Sequence, residues 1–197
     1  MRLRDIFAAS SLLVLPALAH AASFTYNLND HFPNFSVTGT ITTDFNSGVL
    51  ASNDITGYNL TLNDGAQTLT ITPDNSQELI QGNSVTASDS GLFFNFDTAK
   101  SVVNGVDIFP LFVFQSPFIG AHTDFLCFQG VSGGCDDFNG AHESIRIGSN
   151  DPAVQPLSGN RQIASINSTV TPEPASLALL GTGLLGLVGV ARRRLAL

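Results

Sequence analysis

Residues 35–42 read Phe-Ser-Val-Thr-Gly-Thr-Ile-Thr, with apolar and hydroxyl side chains taking turns. A period of two puts one set on each side of an extended chain. The stretch therefore fits a half-buried strand and excludes an amphipathic helix. The same habit recurs along the chain. Residues 24–28 open the series, and residues 55–62 place Tyr58, Leu60 and Leu62 on one face. Asn63-Asp64-Gly65 is a hairpin signal leading into residues 68–72. Short runs at 79–81, 84–88 and 92–97 continue it, the last with Leu92, Phe94 and Phe96 on one side. Residues 111–114 are apolar on both faces and read as a doubly buried strand, with Pro110 at its limit. Residues 124–129, 143–148 and 162–170 complete the set, and residues 150–157, with Pro152 and Pro156, read as a turn-rich link. No stretch of the body sustains a helical period, and fifteen Phe with no Trp leave the packing to phenylalanine. The predicted fold is all-β, a β-sandwich of jelly-roll or lectin-like shape.

Two apolar segments bracket this body. Residues 1–21 have the parts of an export signal: Arg2 and Arg4, an apolar run over 6–18, and Ala19-His20-Ala21 as a small-x-small cleavage pattern. At the other end stand Pro172-Glu173-Pro174, an uncharged apolar run over 175–191, and then Arg192, Arg193 and Arg194. Seventeen residues of helix span roughly 25 Å, the short end of what crosses a hydrocarbon core. The prolines mark its start, and the arginines stay on the cytoplasmic side, which places the body outside. Gly181, Gly183, Gly186 and Gly189 weaken the span as a durable helix. The expected domains are a signal peptide at 1–21, an ectodomain at 22–170, and a tail at 171–197.

In order and position, that tail resembles the PEP-CTERM sorting signal of Gram-negative bacteria, carried by Pro172, Glu173, Pro174 and the cluster Arg192 to Arg194. Thr171 stands where valine is commoner. The resemblance covers about a seventh of the chain. It implies recognition by an exosortase after passage through the export machinery, with cleavage near the Pro-Glu-Pro. The expected route is export across the inner membrane and a membrane-anchored precursor, ending at the cell surface or extracellular matrix beside exopolysaccharide or biofilm. An ordinary tail anchor that stays in place is the alternative.

Charge narrows the function. The chain carries a formal −8, and five of its eight basic residues lie in the two end segments. Between those segments only Lys100, Arg146 and Arg161 face fourteen acidic residues, a body near −11. Such a surface argues against nucleic acid, whose phosphates need lysine and arginine. Cys127 and Cys135 are the only cysteines, and in an exported body they predict a disulfide pinning a Gly-rich surface loop. Asp124, Asp136, Asp137 and Glu143 form the densest acidic group, a weak candidate for Ca²⁺; no other cofactor is expected. His31, His122 and His142 read as surface histidines on loops, and neither Gly-x-Ser-x-Gly nor His-Glu-x-x-His occurs. The expectation is a structural or adhesive exported protein without catalysis. The rivals are a carbohydrate-active enzyme, or a Ca-dependent sugar-binding module, on the same fold.

Overall fold

Alternation in the sequence becomes alternation in burial. The computed structural model describes residues 23–132, 134–135 and 138–166, all within one compact unit, Ala22–Thr169. The expected export signal, Pro-Glu-Pro motif, membrane-crossing run and arginine cluster lie outside the described residues. Among the described residues no helix is long and apolar enough to cross a membrane.

Fifteen strands run through these residues: β1 (Phe24–His31), β2 (Ser36–Thr43), β3 (Gly48–Val49), β4 (Ile55–Asn63), β5 (Thr68–Ile71), β6 (Gln77–Gln81), β7 (Val85–Ser88), β8 (Gly91–Asn95), β9 (Ser101–Val103), β10 (Val106–Ile108), β11 (Leu111–Ser116), β12 (Asp124–Gln129), β13 (His142–Arg146), β14 (Ala153–Pro156) and β15 (Asn160–Ile166). One 3-10 turn, Ser52–Asp54, precedes β4. The all-β expectation holds, and every strand pair is antiparallel.

A large sheet has the order β3-β7-β8-β15-β1-β2-β4-β5, and a small one the order β14-β13-β12-β11-β6. β9 and β10 form a separate hairpin. The last strand, β15, lies between β8 and β1, with Tyr26 opposite Ile166. First and last strands are thus neighbours, tied by ladder hydrogen bonds.

One core lies between the two sheets. Tyr26, Ile41, Leu60 and Phe94 enter it from the large sheet, and Phe112, Phe114, Phe128 and Ile145 from the small one, all fully buried. Rings meet across the gap, Tyr58 against Phe114 at 4.8 Å and Phe94 against Phe128 at 6.1 Å. Such contacts add to area burial and need complementary geometry. Gly39 shows how closely the strands approach: at φ 141°, a Cβ there would overlap the Asn59 carbonyl oxygen.

The doubly buried reading of residues 111–114 also holds, because the far side of the small sheet carries a second cluster. Leu111, Val113 and Phe125 pack there with the two cysteines under the flanking loops. One local expectation fails. Residues 153–156, read as part of a link, form edge strand β14, where Pro156 needs to donate no ladder bond. The β9–β10 hairpin turns at Asn104-Gly105, both at positive φ, and its strands are too short to show a period.

Candidate functional site

Along β1 the inward positions are Tyr26, Leu28 and then Asp30, so the strand that starts as core wall ends in a carboxylate. β13 does the same from the opposite sheet. Glu143 shares a face with Ile145, is 1 % exposed, and leaves Oε1 without a hydrogen-bond partner. Its register neighbours are Phe128 on β12 and Gln155 on β14. Burial drives the Glu143 carboxyl well above the usual range, and the charge of Asp30 pushes it the same way. Asp30 is itself raised by burial to about 6, against a smaller opposing pull from His31.

Two carboxyl groups facing one interior end cannot both ionise cheaply, so the pair gives up its protons at higher pH than free carboxyls would. A cation shell needs more oxygen ligands than two carboxyls supply. Among the described residues no three His, Cys, Asp or Glu side chains come together. Beside the same end of β1 is a shallow pocket of about 230 Å³, bounded by His31, Phe32, Asn34, Phe35, Asn63 and Gly65.

Of the acidic group expected from the sequence, the described residues hold Asp124 and Glu143, which stand apart on β12 and β13. Asp124 opens β12 and accepts a hydrogen bond from the Gly148 amide at 2.6 Å. Glu143 is registered with Phe128, four residues further along β12, or roughly 13 Å at strand rise. Asp136 and Asp137 lie outside the described residues.

His142 and Glu143 are adjacent, so their side chains leave opposite faces of β13. His142 is not a surface loop residue: it is 2 % exposed, with Nδ1 2.8 Å from the Gly140 carbonyl oxygen. His31 and His122 are exposed, and His31 Nε2 lies 3.0 Å from Asn29 Oδ1.

Cys127 and Cys135 are bonded, with Cα atoms 6.3 Å apart. The bond lies inside the second cluster rather than on the surface, Cys127 at 0 % and Cys135 at 5 % exposure. Gln129 reinforces it, a role sequence reasoning missed. Its Oε1 accepts from the Cys135 amide at 2.9 Å, and its Nε2 donates to the carbonyls of Phe138 and Gly140, each at 3.2 Å. A buried glutamine satisfied three times by one loop clamps that loop to the sheet.

Asp30 and Glu143 were findable by period. Tyr26-Leu28-Asp30 and Glu143-Ile145-Ile147 each place an acid in step with two core residues.

The chain matches no curated protein and no solved structure. Residues 170–194 match the PEP-CTERM protein-sorting motif, over the segment that holds Pro172, Glu173, Pro174 and Arg192 to Arg194. The chain therefore carries the PEP-CTERM sorting signal and is an exported protein sorted at the membrane by an exosortase.

Proposed function

We propose that this protein is a structural or adhesive component of the cell surface or extracellular matrix, a β-sandwich of lectin-like kind delivered there by its C-terminal signal. Its place is beside exopolysaccharide or biofilm, and it performs no chemistry of its own. The sorting motif at 170–194 carries the reading, because it commits the body to the outside of the inner membrane. The acid pair supports a non-catalytic role. Glycoside cleavage needs two carboxylates facing an open groove, roughly 5–9.5 Å apart. Glu143, at 1 % exposure, faces the core instead. A body near −11 and a buried disulfide suit an oxidising, soluble exterior.

Intact-mass measurement of surface and medium fractions, with and without the exosortase, tests the proposal. A mature chain beginning near Ala22 and ending near the Pro-Glu-Pro is expected outside the cell, dependent on the enzyme. Full-length chain in the cytosol with reduced cysteines would overturn it.

A further inference from the structure

β1, β2, β4 and β5 lie side by side in the large sheet, and Asp30 is the one acidic residue among them. It points inward, and these strands hold no lysine or arginine. Apart from His31 at the end of β1, their outward polar positions are hydroxyl and amide side chains in register. Thr40 lies between Asn27 on β1 and Asn59 on β4, and Thr38 and Thr42 stand two residues to either side. The next pair outward, Thr61 with Thr70 on β5, repeats the pattern.

Internal pairing takes up the rim of this face: Thr25 and Thr42 hydroxyls meet at 3.4 Å, as do those of Thr61 and Thr70, Asn29 Oδ1 lies 3.0 Å from His31 Nε2, Thr56 Oγ1 donates to the Thr42 carbonyl, and Asn63 Oδ1 accepts from the Gly65 amide. The central row Asn27-Thr40-Asn59 is left to bind outward. In a body near −11, the acids are displaced to the turns, Asp44 and Asp54 at one end of these strands and Asp64 at the other.

We infer that this uncharged hydroxyl-amide face is a docking surface for a neutral polysaccharide. The inference deepens the matrix reading above and rests on it. Each threonine hydroxyl both donates and accepts, and each asparagine does so through its amide, which is the capacity a polyol needs. Positions repeat about every 4.8 Å across strands and about 6.7 Å along them, so a repeating polymer makes many weak contacts that add. An apolar partner would strip water from these groups without pairing them. An anionic polymer meets the acidic turns at both ends and finds no lysine or arginine between them. A second copy of this chain brings the same acidic turns against its own. Charge complementarity leaves a neutral, hydroxylated chain.

The test uses the full chain extracted from membranes in detergent, with insoluble neutral glucan particles as probe and an alginate gel as the anionic control. Retention on the glucan, insensitive to salt, with none on alginate, is expected. Thr40→Arg sets a long charged side chain in the middle of the face and should weaken retention about tenfold. Asn59→Asp keeps the shape, removes the amide donor, and should give a smaller loss of the same sign. Asn139→Arg, in the β12–β13 loop, should bind as wild type, and all variants should melt alike. The inference is overturned by a folded Thr40→Arg that binds undiminished, by no retention of wild type on any neutral glucan, or by equal retention on alginate. A wild-type dimer that Thr40→Arg converts to monomer also overturns it, assigning the face to self-association. Each of these leaves the export reading standing, since that reading falls only by fractionation.

Discussion

Glu143 is an acid where an aliphatic side chain would pack, and its unpartnered Oε1 costs far more when the carboxyl is ionised than when it is neutral. Burial and Asp30 both favour the protonated form. Glu143→Gln, the neutral shape mimic, should therefore change little at pH 4.5 and stabilise at pH 8. The gain should be about 1–2 kcal/mol, or about 3–6 °C in thermal melting for a domain of this size. Equal melting of variant and wild type at pH 8 would mean that Glu143 is not strained by ionisation. Gly39 is the counter-case, where the backbone sets the constraint. Its φ of 141° and the Asn59 carbonyl leave no room for a methyl group, and Leu60 Cα would stand 2.9 Å from it. Gly39→Ala should lose about 2–3 kcal/mol in denaturant unfolding, through both strain and a forced gap between β2 and β4.

At the scale of elements, the β12–β13 connection is held twice, by the Cys127–Cys135 bond and by Gln129. A bond closing so short a loop contributes about 2 kcal/mol by chain entropy. The two restraints act on one segment, so their losses should not add. Replacing both cysteines by serine, and separately Gln129→Ala, should each lower stability by about 2 kcal/mol. The combination should fall short of the sum by about 0.5 kcal/mol or more. A strictly additive triple variant would show that disulfide and amide restrain different parts.

How much of this could be read in the sequence depends on strand length and position. β2, β4 and β12 stood out because eight, nine and six residues give a period of two, or an unbroken apolar run, time to register. β3, β9 and β10, at two or three residues, hold no full period, and β14 was masked by its prolines. The disulfide followed from counting cysteines. Its burial did not, because apart from Phe125 the second cluster is assembled from Leu79, Phe109, Ile119 and β11, none of them adjacent to the cysteines in the chain. The Asp30–Glu143 meeting joins residues 113 apart across two sheets, and local pattern carries each acid's facing but not its partner.

For the whole molecule, acid pairs and net charge push stability in one direction. Asp30 rises from a reference of 3.8 to about 6, and Glu143 rises well above 4.5. Between the unfolded and folded values the native state binds more protons than the unfolded chain. Stability is then full below about pH 4 and falls as pH rises through 6 and beyond. Asp64 works the other way, lowered chiefly by the Gln67 amide, but it sits on the exposed β4–β5 turn, where water screens the effect. The surface adds self-repulsion of the same sign, since a body near −11 gathers charge as its carboxylates ionise. Salt separates the two causes. At about 0.5 M NaCl the Debye length falls to about 4 Å, which removes most surface repulsion and leaves a buried pair nearly untouched. The expected melting temperature is highest near pH 4–5 and declines toward pH 8. Salt should recover part of that decline in wild type, and Asp30→Asn with Glu143→Gln the rest. A wild-type profile that is flat, or that rises toward pH 8, would refute the buried pair as the dominant titrating element. A decline abolished by salt alone would assign it to the surface.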